Sequence, residues 1–276
     1  MSLHLNGNTI GDMYVGGTKV GEAWLNGQKV YSSVQPVINY IFRDIDANGN
    51  LTTATGALED ASGITKIGDY GLASAFFKCS GLTGSVSFPN LTSIGAYGLD
   101  HAFSGCKGLN GGVSFPALTS IGEAALLYAF DNCTGLTGSI SFPSLTSVGS
   151  SGLSSVFSNC SGLTGSVSFP SLTSVDYGAL SYAFFRCTGL NGGVSFPSLT
   201  TIGTTGLYEA FYKCSGLTGS VSFPALTSIG HSGISDIFLG CSGITEVHFK
   251  SSLSGNSDCT ASNMGCTNAT VYFDLP

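Results

Sequence analysis

Charge is scarce in this chain: Asp, Glu, Lys and Arg together make up 9% of its 276 residues. Nine Lys and Arg against sixteen Asp and Glu leave a net charge of −7, and the basic residues form no cluster. Binding to the phosphate backbone of DNA or RNA therefore has no electrostatic source. No apolar run approaches the roughly 18 residues of a membrane-spanning helix, so no membrane span is expected. The N-terminus, Met1 to Gly7, lacks the basic start and apolar core of a secretory leader. A secreted protein of this sequence would have lost its leader. No Cys-x-x-Cys or paired-His spacing is present, so a metal site is not expected. His4, His101, His231 and His248 stand in unrelated contexts, and no nucleophile–base–carboxylate set recurs. Neither an enzyme nor a bound cofactor is indicated.

Glycine is abundant, with forty residues, beside a 42% hydrophobic fraction. Both follow from a strict period. Cys79, Cys106, Cys133, Cys160, Cys187, Cys214 and Cys241 stand 27 residues apart, and six Phe-Pro pairs from Phe88-Pro89 to Phe223-Pro224 keep the same beat. The unit, seen over Leu91 to Ala117, reads L-T-S-I-G-x-x-G-L-x-x-A-F-x-x-C-x-G-L-T-G-S-V-S-F-P-x. A fixed period of this size marks a solenoid in which each repeat is one coil stacked on the next.

Within a coil, Ser85-Val86-Ser87-Phe88 alternates as a strand does, with Leu82, Val86 and Phe88 inward and the serines outward. Its copies centre on Val113, Ile140, Val167, Val194 and Val221, with weaker ones at Val247 and Val271. Stacked in parallel, they predict one sheet. Pro89 and its equivalents lack the N–H a ladder needs and end each strand. Across the coil, Leu99, Ala102, Phe103 and Cys106 fall at i, i+3, i+4 and i+7, which predicts a short helix with one face in the core. The expected fold is thus an α/β repeat solenoid, with 27-residue coils carrying a parallel sheet on one face and short helices on the other.

This pattern resembles the BspA-like leucine-rich repeat family, found in bacterial surface proteins and some phage-associated proteins. The residues that carry the resemblance are Leu91 to Gly95 (Leu-Thr-Ser-Ile-Gly), Ala102 to Cys106 (Ala-Phe-x-x-Cys) and Gly81 to Thr83 (Gly-Leu-Thr). It covers residues 64–273, although family units are usually somewhat shorter. The resemblance implies recognition or adhesion and no common catalytic residue, so no site carries over.

The ladder cysteines are expected to be reduced. Equivalent side chains in adjacent coils lie about 5 Å apart and point the same way, whereas a disulfide needs two Cβ atoms turned toward each other. Cys266 continues the ladder, and Cys259 stands off it. Asn90, Asn132 and Asn159 open N-x-Ser/Thr sequons that arise when Asn enters a Thr- and Ser-rich repeat. Asp44 to Asn50 resembles the start of an EF-hand loop, but Thr55 stands where the bidentate Glu belongs, and a hairpin at Asn48-Gly49 explains the same letters.

Four segments are expected. Residues 1–33 repeat every ten residues around Asn-Gly and Gly-Gly, which predicts a four-strand antiparallel β-meander containing Tyr14, Trp24 and Tyr31. This short module resembles pieces of phage tail and virion proteins and is too small to stand alone, so a docking partner is expected for it. Residues 34–63 form a linker and N-terminal cap, with Val37 to Phe42 as a capping strand. Residues 64–250 form the repeats, and residues 251–276 form a C-terminal capping coil and strand.

Recognition belongs where repeats differ. The strand serines hardly vary, but one column on the far side runs Ser74, His101, Tyr128, Ser155, Tyr182, Glu209, Asp236. Another runs Phe77, Ser104, Asp131, Ser158, Phe185, Tyr212, Leu239. Aromatics there either fill gaps between coils or anchor a partner. The candidate binding residues are Tyr128, Tyr182, Phe185, Tyr208, Glu209 and Tyr212, and the expected partner is a protein or glycan on a cell surface. The leading function is non-enzymatic recognition or adhesion at a bacterial surface. The alternative is a structural or receptor-binding component of a phage tail or virion. Asn110 and Asn191, three units apart in place of Thr, suggest duplication of a three-coil block rather than chemistry.

Overall fold

A computed structural model describes residues 3–5, 8–10, 22–25, 28–32, 56–57, 61 and 64–275. Each coil of the repeat contributes three faces, two made of β-sheet and the third of turns. Short two-residue strands from Lys66–Ile67 to Ser228–Ile229 form a seven-stranded parallel sheet with coils in sequence order. In-register pairing places Ile94 beside Ile67 and Ile121 beside Ile94. The Val-Ser strands form a second parallel face, in which Val86–Ser87 pairs with Val113–Ser114. A six-stranded sheet then runs from Ile140–Ser141 to Thr270–Leu275. One sheet face was expected and two are present. The stretch after the proline alternates as well: Ser120 is exposed and Ile121 buried, so it too pairs edge to edge.

The expected helices are replaced by turns. Among the described residues the only helical element is the 3-10 turn Ser251–Leu253. Over residues 95–106 alternate N–H groups close local turns, as in Asp100 to Tyr97, Ala102 to Leu99 and Ser104 to His101. The intervening N–H groups of Tyr97, Leu99, His101 and Phe103 donate to Glu123, Ala125, Leu127 and Ala129 of the next coil. Half the backbone is satisfied locally and half by the neighbour, as buried backbone requires. The physical reason is pitch. Strands on the other two faces stack at ~4.8 Å, whereas a helix is about 10 Å across. A straight stack on the sheet pitch has room for a turn per coil and none for a helix. The i, i+3, i+4, i+7 spacing serves both: Leu99, Ala102, Phe103 and Cys106 are fully buried in the turn layer.

The core is translational. Phe103 stacks on Phe130 at 5.1 Å and 2°, and Phe184 on Phe211 at 5.1 Å and 1°. A second column joins Phe88 to Phe115 at 5.5 Å, and ends with Phe249 and Phe273 at 6.0 Å. Such pairs are worth about 0.5–1.5 kcal/mol each beyond the area they bury. Side-chain hydroxyls stitch the corners. Thr119 donates to the Thr92 carbonyl at 3.0 Å, and Thr146 to Thr119 at 3.0 Å. Ser171 donates to the carbonyl of Pro143 at 2.6 Å.

Asn110 and Asn191 have a chemical role after all. Each side-chain oxygen accepts the N–H of a glycine in the preceding coil, Gly84 and Gly165, at 2.9 Å. The following glycine is then required: a Cβ on Gly111 would stand 2.2 Å from the Ser85 hydroxyl and 2.8 Å from its nitrogen.

In the N-terminal region, Leu3–Leu5 pairs antiparallel with Asn8–Ile10, and Glu22–Leu25 with Gln28–Ser32. Each of these antiparallel pairs brackets an Asn-Gly pair in the sequence. The middle of the expected meander, the capping strand at 37–42 and the calcium-like loop at 44–55 lie outside the described residues.

Candidate functional site

In each coil three turn-layer residues, four apart, take positive φ. The middle one is the first variable column: Tyr128 at 51°, Ser155 at 53°, Tyr182 at 57° and Glu209 at 49°. Left-handed backbone disfavours side chains with a Cβ, and the interlocked hydrogen bonds of the turn layer hold it in place. The second variable column sits one residue before the last positive-φ position, held by Lys78, Asn132, Asn159, Arg186 and Lys213. The larger members of both columns lie half-buried or exposed on the outside of the turn layer, whereas Ser104, Ser155 and Ser158 are buried.

Five of the six candidate residues come together there. Tyr182 meets Phe185 edge-on at 5.8 Å and Tyr208 at 5.5 Å, while Phe185 stacks flat on Tyr212 at 4.8 Å. Glu209 completes the group beside Tyr208. The hydrogen bond from the Tyr208 hydroxyl to Glu209 pushes that phenol well above its ordinary range, with burial adding to it. Burial, then the nearby Glu209 charge, raises Tyr182. Both phenols are neutral at physiological pH and able to donate and accept. Two cations cap the rings: the Arg186 guanidinium lies 5.1 Å from the Phe185 centroid and the Lys213 ammonium 5.1 Å from that of Tyr212. These cations were not singled out from the sequence, where their column also holds Gly105 and Gly240.

Tyr128 stands apart. It packs on His101 at 4.9 Å, and His101 meets Phe77 at 6.3 Å, with the Lys78 ammonium 4.9 Å over the Phe77 ring. Ser155 separates this cluster from Tyr182 by one coil in the same column. The two groups form a broken aromatic stripe along the solenoid.

All nine cysteines are free and buried. Burial pushes the Cys133 and Cys187 thiols up to about 12, so they are poor nucleophiles and poor ligands. Among the described residues no group of three His, Cys, Asp or Glu could hold a metal, and no helix is long and apolar enough to cross a membrane. Of the sequon asparagines, Asn132 donates to Asp131 at 2.6 Å and Asn159 to the Ser158 hydroxyl at 2.9 Å.

Residues 61–205 and 153–272 match the BspA type leucine rich repeat region in six copies. The chain belongs to this family of leucine-rich repeat proteins. Three solved structures resemble it. A leucine-rich repeat protein from Bacteroides ovatus is 24% identical over 79% of this chain and 60% of its own, with a TM-score of 0.39. The T. pallidum leucine rich repeat protein is 19% identical over 87% and 80%, with a TM-score of 0.42. A leucine rich cell surface protein from Faecalibacterium prausnitzii is 18% identical over 77% and 64%, with a TM-score of 0.33. The chain thus spans under two thirds of the length of the first and third. No curated protein matches it. Nothing in these comparisons supports the likeness of residues 1–33 to virion modules.

Proposed function

We propose that this protein is a non-enzymatic recognition or adhesion protein, binding a cell-surface protein or glycan through the aromatic stripe of its turn layer. One observation carries the reading. Residues that vary from coil to coil converge on Tyr182, Phe185, Tyr208, Glu209 and Tyr212, while invariant positions serve the core or the stitching between coils. Ring faces, neutral phenols, one carboxylate and two exposed cations make a patch suited to holding a partner by stacking and hydrogen bonds. Membership of a leucine-rich repeat family is consistent with a binding scaffold.

The test uses the full chain against arrays of purified surface glycoproteins and glycans, beside a variant with Tyr182→Ser and Tyr212→Ser. Serine already occupies both columns at Ser155 and Ser158. Loss of a central aromatic anchor costs about 2 kcal/mol or more, roughly thirtyfold in affinity. A partner found on the arrays that binds the double variant as tightly as the parent would remove the stripe from consideration.

A further inference from the structure

The residue after each strand of the seven-stranded sheet is Gly68, Gly95, Gly122, Gly149, Gly203 or Gly230, with one exception, Asp176. The column needs little bulk because coils touch here. A Cβ on Gly149 would lie 3.1 Å from the Gly122 carbonyl carbon, and one on Gly203 2.8 Å from that of Asp176. Asp176 nevertheless carries its side chain out to solvent, followed by Tyr177, which at 59% is the most exposed large apolar residue described.

Asp176 borders an open groove of about 430 Å³ whose other walls include Ser147, Gly149, Ser174 and Thr201. The groove crosses successive coils along the solenoid axis. Its hydroxyls differ from their neighbours. Thr146, Thr173 and Thr200, one residue earlier, each donate to the coil below at 2.9–3.0 Å. The hydroxyls of Ser147, Ser174 and Thr201 have no such protein partner among the described residues. Asp176 Oδ1 accepts the Tyr177 N–H at 2.8 Å, which orients the carboxylate and leaves Oδ2 for another donor.

The chemistry narrows the ligand. A carboxylate repels an anion, and a single carboxylate without a further acidic, His or Cys group is too little for a metal. Ile121, Val148 and Val175 also line the groove but are buried, so its accessible floor is mainly hydroxyl and backbone and suits no apolar ligand. What fits is a molecule rich in hydroxyls with one apolar face. Adjacent hydroxyls can donate to the carboxylate as charge-assisted bonds, and the C–H face of a ring can lie on tyrosine. The ~4.8 Å coil repeat matches about one pyranose unit, so successive sugars would meet successive serines. We propose that the groove lined by Asp176, next in sequence to the exposed Tyr177, is a binding site for a neutral oligosaccharide lying along the solenoid axis, separate from the aromatic stripe.

The experiment is calorimetric and saturation-transfer NMR titration of the full chain with neutral hexose and N-acetylhexosamine trisaccharides, beside matched uronic acid trisaccharides. The variants are Asp176→Gly and Tyr177→Ser, residues that other coils carry at these positions, with thermal melts to confirm folding. At least one neutral trisaccharide should bind. Each variant should weaken it about tenfold, as expected for a lost charge-assisted contact. The Tyr182→Ser, Tyr212→Ser variant, titrated in parallel, reports any sugar held by the stripe instead. The proposal fails if no neutral trisaccharide binds at millimolar concentration, if uronic acids bind equally well, or if both groove variants retain full affinity. It also fails if only the stripe variant loses sugar binding, a result that would leave the stripe intact as a site.

Discussion

The thiol of Cys133 donates a hydrogen bond of 3.0 Å to the carbonyl of Phe103, one coil below. That carbonyl also accepts the N–H of Cys106 at 3.0 Å, so both its lone pairs are used. The relation recurs from Cys106 on Phe76 to Cys241 on Phe211, at 2.9–3.0 Å. Cysteine is therefore kept for its small volume and its buried donor, with no part in disulfide chemistry.

Nine thiols should be counted on the unfolded protein, and alkylation of the folded protein at neutral pH should be slow. Replacing Cys133 by Ala should cost about 1–3 kcal/mol, through a small cavity and the loss of one of the two hydrogen bonds to the Phe103 carbonyl. The folded pKa values of Cys133 and Cys187 lie above the ordinary thiol value, so their contribution is complete below the unfolded pKa, about 8.5. It is lost as pH rises toward about 12. Denaturant titrations at pH 7 and pH 10 should show the parent weakening, and Cys133→Ala weakening less.

Adjacent phenylalanines should behave oppositely. Phe184 is fully buried between Phe157 and Phe211, whereas Phe185 lies on the outer stripe against Tyr212. Phe184→Ala should cost about 3–5 kcal/mol of stability. Phe185→Ala should cost about 1 kcal/mol or less in folding and appear instead in partner binding. Paired melting and binding measurements separate the two.

The left-handed positions hold removable strain. Ser155 sits at φ 53° in the same column as Tyr182 and Glu209. Ser155→Gly should raise stability by roughly 1 kcal/mol, since glycine adopts this region without a steric penalty. Glu209→Gly should gain similarly while weakening any partner held by the stripe. A fall in melting temperature for both would show that the hydrogen-bonded turns do not depend on this strain.

His248 ties the last strand to the one before it. Its Nδ1 lies 3.0 Å from Asp274 and its Nε2 3.4 Å from Glu246, and its ring stacks on Tyr272 at 4.8 Å. The hydrogen bond to Asp274 raises the histidine pKa against a smaller opposing effect of burial, and Glu246 also raises it. The stabilisation is therefore full below the unfolded histidine pKa, about 6.5, and is lost as pH rises through the folded value. Amide exchange in Thr270–Leu275, corrected for intrinsic rates, should be slower at pH 6 than at pH 8. In His248→Ala that difference should disappear.

The period of 27 residues determined most of the core. Stacking identical coils in parallel places each residue beside its own copy, so Val86, Phe88, Leu91 and Ile94 had to face inward together, as they do. The same translation made the cysteine ladder readable as reduced thiols. The variation of the columns that hold Tyr182, Phe185, Glu209 and Tyr212 was legible in the sequence, but their ring contacts were not. Tertiary structure alone decided the rest. Whether Leu99, Ala102, Phe103 and Cys106 lie on a helix or on a chain of turns depends on the spacing between coils, which no single coil contains. The bond from Asn110 to Gly84, the cations over Phe185 and Tyr212, and the groove beside Asp176 each join residues of different coils. For Asp176 a signal was present, a lone carboxylate in a column of glycines. Its meaning required knowing which hydroxyls the neighbouring coil had already taken.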